Sequence, residues 1–319
     1  MQNLSLKDFY AKRNKVLFRH GHGGIGDVFM HRMLFSPILK FFPDCEIHFS
    51  CIKNFGDALK DHPAKIKILN ENEISDGEYL AVYRTSVANA NRYENKEGKN
   101  CKHHRSDIWA YIAGFQLENH DMNFELDQKL VQNMRQKLEK LKKYDDKPIV
   151  LFNPIGSVPS KSLLPNQIDL IVKKTKEINL VGIHQTEIKQ LKINKIETIS
   201  GLDVENWIHC IAASDAVISV DTGTFHLAGG LKKPLLGIFT FANGKVYGKY
   251  FDFILVQKHF ENGDWECGPC YAYGSCPKTN KEIKPCLSEL TEKELDDGLQ
   301  HFLQKITKNK VELPMFLFC

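Results

Sequence analysis

The chain has 319 residues, 42% hydrophobic and 26% charged, enough apolar material for two ordinary domains with separate cores. No apolar run approaches the roughly 20 residues that cross a bilayer, and the polar stretch Met1 to Asn14 lacks the apolar core of a secretory signal, so a cytoplasmic protein is expected. A formal net charge of +4 suits a phosphorylated substrate, an anionic glycolipid surface or nucleic acid, and chooses none of them.

The first predicted strand, residues 15–19, runs into Gly21-His22-Gly23-Gly24-Ile25-Gly26-Asp27 and then a helical pattern over residues 28–42. Further strands are predicted at 46–51, 65–69 and 79–84. A helix follows with Ile108, Tyr111, Ile112 and Phe115 at helical spacing after an N-cap at Ser106. A charged helix over 127–143 ends in a polar stretch closed by Pro148, which predicts a domain boundary between residues 147 and 148. The second half restarts with a strand at 149–152, a loop, and a helix from Pro165. Strands at 178–183, 216–220 and 235–239 and a last helix at 291–306 complete it, before an apolar tail at 311–319 suited to docking. Strands alternating with helices predict parallel sheets with right-handed crossovers: an α/β chain of two Rossmann-like domains. Ligands of such sheets bind at the carboxyl ends of the strands, so a cleft between the two domains is expected.

Gly21, Gly23 and Gly26 satisfy the spacing of a dinucleotide loop. The second strand, however, ends Phe49-Ser50-Cys51-Ile52-Lys53, with no carboxylate for a ribose, which demotes an NAD site. Asp27 enters the first helix; it is either a dipole-stabilised helix-start carboxylate or a general base for a hydroxyl nucleophile. In the second half, Ser219-Val220-Asp221-Thr222-Gly223-Thr224-Phe225-His226 reads as strand, turn and helix start. The unpaired N–H groups of such a turn can hold a diphosphate, although an ordinary Asp cap would look the same. Asn153 to Lys161 adds Ser157 and Lys161, a hydroxyl and an ammonium able to contact phosphate; the loop is not a Walker A motif.

The order of these signals resembles glycosyltransferase family 9, the ADP-heptose:lipopolysaccharide heptosyltransferases. The likeness rests on Gly26-Asp27-Val28 with Ser36-Pro37 and Phe42-Pro43-Asp44, on Ser219 to Ala228 with Lys233-Pro234, on Asn243 to Gly248, and on the cysteine pattern from Cys267 to Leu287. The resemblance implies a GT-B fold with an acceptor-binding domain at 1–147 and a nucleotide-sugar domain at 148–319. It also implies an inverting, metal-independent transfer from a nucleotide-diphosphate sugar to a hydroxyl acceptor, in particular a bacterial surface glycan or glycolipid with peripheral membrane contact. Asp27 matches the family's base. Gly26, Ser157, Lys161, Glu187, Asp221, Thr222, Gly223, Thr224 and His226 match its donor positions, Glu187 more loosely. Gly156 departs, standing where many members carry a hydroxyl residue, and the half from Asn54 to Leu126 matches no specific heptosyltransferase.

Arg32, Arg84, His104 and Arg105 are candidates to hold the acceptor, against the alternative of solvated basic groups. Nine cysteines make an odd count, and five of them (Cys45, Cys51, Cys101, Cys210, Cys319) read as small apolar residues. Cys267, Cys270, Cys276 and Cys286 could form a structural zinc site; a redox-sensitive pair or reduced structural thiols fit as well. Two other functions compete with surface-glycan synthesis. One is a phage-type transferase acting on hydroxymethylated DNA, which predicts salt-sensitive duplex binding. The other is a non-catalytic nucleotide-sugar binding protein.

Overall fold

The computed structural model describes residues 14–258, 269–271 and 274–308, so the tail at 311–319 and Cys267 lie outside it. The chain divides into two compact units, Met1–Leu126 and Asp127–Cys319.

In the first unit, β1 (Lys15–Gly21) leads into α1 (Ile25–Phe41). Strands β2 (Glu46–Cys51), β3 (Lys67–Leu69) and β4 (Ala81–Tyr83) follow, then α2 (Val87–Glu97) and α3 (Arg105–Ile112). The sheet is parallel, in the order β3-β2-β1-β4. Val16, Leu17 and Phe18 of β1 are wholly buried, with Phe18 meeting Phe35 of α1 edge-on at 5.3 Å. Helices on both faces of a parallel sheet require such continuous apolar runs.

The second unit opens with α4 (Gln128–Glu139). Then come β5 (Ile149–Asn153), α5 (Pro165–Lys174), β6 (Asn179–His184), α6 (Lys189–Ile193), β7 (Thr198–Ser200), α7 (Val204–Ala213) and β8 (Ala216–Val220). The remainder is α8 (Gly223–Gly230), β9 (Leu235–Phe239), α9 (Gly244–Tyr247), β10 (Phe253–Gln257), α10 (Pro285–Ser288) and α11 (Glu292–Lys308). Six parallel strands run in the order β10-β9-β8-β5-β6-β7, the doubly wound order in which the chain reverses direction beside its first strand. Val150, Phe152, Ile218, Val220, Leu236 and Ile238 form the core with Ile168 and Ile171 of α5 and Leu295, Leu299 and Phe302 of α11.

The division falls at 126/127 rather than the expected 147/148, because α4 belongs to the second unit. Asp127 caps it, accepting from the N–H groups of Lys129 and Leu130. Arg135 donates to the Ala213 carbonyl (3.0 Å) and pairs with Asp215 (2.8 Å), while the Asp127 N–H donates to His209 Nε2 (3.2 Å). The expected strands 46–51, 216–220 and 235–239 agree with the structure residue for residue. Helix α2 escapes the sequence reading because its inward face carries only Ala90 and Glu94, too little for an apolar stripe. The N-cap of α3 is His104, not Ser106: its ring Nδ1 accepts from the Ser106 N–H (3.2 Å) and its own N–H donates to Asp107 (3.3 Å).

Arg32 of α1 is fully buried and ties the end of the first unit to its middle. Its guanidinium donates to the carbonyls of Met122 (2.7 Å), Ala58 (2.5 Å) and Asn123 (2.6 Å), pairs with Asp61 (2.7 Å), and lies 3.9 Å over the Phe124 ring. Arg32→Met keeps most of the volume but leaves Asp61 and three carbonyls without this donor. It should destabilise the first unit by about 3–5 kcal/mol, read as a lower urea midpoint by far-UV circular dichroism; an unchanged midpoint would refute this role.

Candidate active site

In the first unit the chemistry gathers at the carboxyl end of β1, beside β4, where the sheet order reverses. Gly21 closes the strand at φ +68°, a left-handed conformation that favours glycine. Gly24 is the N-cap of α1, and Asp27, three residues in, accepts from its N–H through Oδ2 (3.0 Å). Asp27 Oδ1 faces Arg105 of α3 at 2.7 Å. Arg105 is itself gripped from α2: Nε and Nη2 donate to the two oxygens of Glu94 (2.8 Å each) and Nη2 to Asn91 (2.6 Å). Burial opposes ionisation of Asp27. The Arg105 guanidinium, the neighbouring His20 and the Gly24 N–H outweigh it and hold the carboxyl below its ordinary value. Asp27 is therefore a fixed carboxylate, not a mobile surface group.

In the second unit the corresponding position lies between β5 and β8, again at the reversal. Asn153, the last residue of β5, donates to Thr224 Oγ1 (2.8 Å) and Thr222 Oγ1 (3.4 Å), tying the two strand ends together. Thr222 caps α8 with extended backbone and no side-chain capping bond. The first-turn N–H groups of Gly223 and Thr224 have no carbonyl one turn earlier to bond to, as at every helix start. Lys161 Nζ lies 2.6 Å from Asp221 Oδ2, both side chains nearly inaccessible to solvent, and His226 Nε2 stands 3.8 Å from Oδ1. Burial would raise the Asp221 pKa, but Lys161 and then His226 hold it well below the usual carboxylate range. Gly156 has a local reason for departing from a hydroxyl residue. A Cβ there would fall 2.4 Å from Lys161 Cβ and 3.0 Å from its carbonyl oxygen, so only glycine lets Lys161 pack in.

The structure thus gathers Lys161, Asp221, Thr222, Thr224 and His226 in one unit, and Gly26 and Asp27 in the other. Ser157 and Glu187 are exposed, and Glu187 is paired with Lys192 at 3.0 Å. Of the expected acceptor residues, Arg84 is exposed. Arg32, His104 and Arg105 do not fit that expectation: all three are buried, the first as a structural tie, the second as a helix cap, the third in the Asp27 ion pair. Asn91 and Glu94, which hold the site together, are not singled out by the sequence, and Asn153 enters it only as the start of the loop that carries Ser157 and Lys161. The only clue to the first two was Ser86, whose Oγ accepts from the Asn89 N–H to start α2. The expected zinc set includes Cys267, which lies outside the described residues. Among the described residues no three His, Cys, Asp or Glu side chains are arranged to hold a metal ion, and Cys270 and Cys276 are free thiols.

The sequence profile of glycosyltransferase family 9 (heptosyltransferase) matches residues 89–274, more than half of the chain. The chain belongs to glycosyltransferase family 9. No curated protein sequence matches it. Among solved structures it is similar to a family 9 glycosyltransferase from Veillonella parvula, at 12% identity and TM-score 0.68, covering 91% of this chain and 97% of the other. It is similar to the ADP-heptose lps heptosyltransferase II of E. coli, at 13% identity and TM-score 0.65, covering 91% and 99%. It is also similar to TibC, an iron-containing dodecameric glycosyltransferase from enterotoxigenic E. coli, at 13% identity and TM-score 0.66, covering 94% and 77%. At these identities the likeness shows the fold, which is the GT-B type with two parallel α/β units. Family membership makes the chain a glycosyltransferase. No helix among the described residues is long and apolar enough to cross a membrane.

The buried Lys161–Asp221 pair of this family 9 chain has a testable pH signature. A carboxyl whose folded pKa is depressed contributes stability that is present above its unfolded value, about 3.9, and is lost only as pH falls through the folded pKa. In Lys161→Met the cation is gone and burial dominates, so Asp221 prefers to be protonated in the folded state. The variant should be destabilised at pH 7 and should recover part of that loss at pH 4.5. Urea midpoints of both proteins at the two pH values measure this; a gap that stays constant or widens on acidification would contradict it.

Proposed function

We propose that this family 9 glycosyltransferase moves a heptose from ADP-heptose to a hydroxyl of a bacterial surface glycan of the lipopolysaccharide type, with inversion and without a catalytic metal. The second unit holds the donor: Lys161 and the helix start at Thr222–Gly223–Thr224 receive the diphosphate, with Asp221 and His226 beside it, Ser157 at the loop and Glu187 toward the nucleoside. The first unit serves the acceptor, and Asp27, entering α1 after Gly26, accepts its proton. Support for the donor chemistry comes from a neighbour described as an ADP-heptose lps heptosyltransferase.

The observation that carries the reading is the fixed positive set on the second unit. Lys161 is locked at 2.6 Å from Asp221 beside the first turn of α8. When the anomeric carbon–oxygen bond breaks, negative charge grows on the departing diphosphate. Preorganised cations and N–H dipoles stabilise that charge more than they stabilise the bound donor, which is what lowers a barrier. They supply the countercharge that a divalent ion supplies elsewhere. On the acceptor side, a sugar hydroxyl is a weak nucleophile until its proton has somewhere to go. Asp27, kept ionised by Arg105, is available as a base throughout the neutral range.

Among ADP-, GDP-, UDP- and CMP-sugars, ADP-heptose should raise the melting temperature most, since a ligand of the folded state stabilises it by mass action. Turnover on a heptose-deficient lipopolysaccharide acceptor should fall by about 10²–10⁴ in Asp27→Asn with donor affinity retained. It should also persist in EDTA. Loss of activity on chelation would overturn metal independence, and an Asp27→Asn enzyme of normal rate would remove Asp27 as the base.

A further inference from the structure

Behind Asp27 lies a buried aromatic cluster that the transfer scheme does not use. His20, near the end of β1, is only 1% exposed. Its ring stacks on Phe49 (5.6 Å between centroids, 21° between planes) and meets His31 (4.6 Å) and Trp109 (6.0 Å) edge-on. The two histidines are wired differently. His31 has Nδ1 2.8 Å from the Asp27 carbonyl and Nε2 3.1 Å from the Thr85 carbonyl, and burial keeps the ring neutral, so its one N–H donates to one of these two acceptors. His20 has Nδ1 3.3 Å from the same Thr85 carbonyl, while its Nε2 is buried with no hydrogen-bond partner among the described residues. A carbonyl oxygen only accepts, so the His20 hydrogen belongs on Nδ1 and the lone pair on Nε2. A lone pair left unpaired in the interior is costly, and such exceptions call for a cause.

The glycine loop makes room for that nitrogen. A Cβ on Gly23 would lie 2.5 Å from His20 Nε2 and 2.6 Å from Val87 Cγ2, so the ring sits directly under the loop that presents Asp27. The charged and titratable groups around the ring are Asp27 and His31 of α1, Arg105 of α3 and His22 of the loop. Burial lowers the His20 pKa most, Asp27 and the Thr85 carbonyl oppose it, and Arg105 and His22 add to the lowering, so the ring is neutral at neutral pH. Asp27, by contrast, is a constrained proton acceptor. Each of its oxygens already takes one hydrogen bond, and a proton placed there sits beside the Arg105 guanidinium.

We propose that His20 is a second proton-handling residue of the transfer, acting through Asp27 and not on the substrate, an inference that rests on Asp27 being the base. The acceptor O–H bond breaks as the new glycosidic bond forms, and the proton goes to an Asp27 carboxylate oxygen. From there it passes through one water to His20 Nε2, which no Asp27 oxygen reaches directly. This regenerates the Asp27 carboxylate beside an imidazolium that still donates from Nδ1 to Thr85, and the proton leaves to solvent when products depart.

Nitrogen-15 histidine NMR on the full-length protein tests the wiring without any substrate. His20 should carry its hydrogen on Nδ1 and titrate below the ordinary value of about 6.5. Asp27→Asn, which removes the negative charge that favours the imidazolium, should lower that pKa further, by about one unit or more. A hydrogen on Nε2, or a titration that Asp27→Asn leaves unmoved, overturns the proposal whether or not the donor is ADP-heptose. With ADP-heptose and the heptose-deficient acceptor, His20→Asn keeps a donor for the Thr85 carbonyl but cannot carry the proton. It should lower kcat about tenfold or more and flatten the acid limb of the kcat–pH profile, with the donor KM within about twofold. A wild-type enzyme inactive with this donor defeats the functional reading alone; an active wild type with an equally active His20→Asn of unchanged pH profile defeats the role of His20.

Discussion

Each unit keeps one buried carboxylate–cation pair where its parallel sheet reverses direction, Asp27–Arg105 at 2.7 Å in the first and Asp221–Lys161 at 2.6 Å in the second. The surrounding architecture serves these pairs. At a reversal, the loops after two adjacent strands diverge to opposite faces and leave a crevice lined by strand ends and helix starts. Putting charges there is expensive: two ions leave water, and their mutual attraction often no more than offsets that cost. A well-packed apolar pair would serve the fold about as well. What the ion pairs add is a defined charge in a fixed place, which catalysis at a developing charge requires.

The two pairs are anchored by different means. Arg105 reaches Asp27 with Nη1 while Nε and Nη2 are clamped by Glu94 and Asn91 of α2, so the planar fork reads two carboxylates at once. A lysine could not bridge in that way. Lys161 instead depends on close packing, with Gly156 leaving the space for its stem and Thr240 Oγ1 donating to the neighbouring Ser160 carbonyl (2.7 Å). Arg105 therefore fixes an orientation and Lys161 a point charge. That difference suits the roles proposed for them: a base that must keep its direction, and a phosphate site that must tolerate several oxygens.

Much of this was legible in the sequence where local chemistry decides it. Glycine-bearing turns after apolar runs located both strand-to-helix junctions, and Asp27, Lys161, Asp221 and His226 were named from their places in those turns. The residues that make the junctions function were not legible. Asn91 and Glu94 lie on a polar helix with no periodic apolar face, and their partner Arg105 is brought to them by the fold. The basic residues Arg32, His104 and Arg105 looked like surface groups because the sequence cannot show that carbonyls and carboxylates await them inside. The domain boundary moved for a related reason. Pro148 is a sound breaker, but the Arg135–Asp215 pair and the packing of α4 on α7 join residues 80 positions apart.

The Lys161–Asp221 pair also bears on how the proposed donor's diphosphate would be held. A lone buried lysine would attract phosphate strongly, but burial would push it toward its neutral form before any ligand arrived. Asp221 at 2.6 Å holds the ammonium in place, at the cost of cancelling part of its field. The remaining attraction must come from groups that Asp221 does not neutralise, namely the first-turn N–H dipoles of α8 and the hydroxyls of Thr222 and Thr224. On the proposed function, such a site would bind the resting donor moderately and gain strength as charge moves onto the leaving group, because dipoles fixed by Asn153 across β5 and β8 need not reorient. Removing Asp221 would therefore weaken the site through Lys161 rather than relieve it of a repulsive charge.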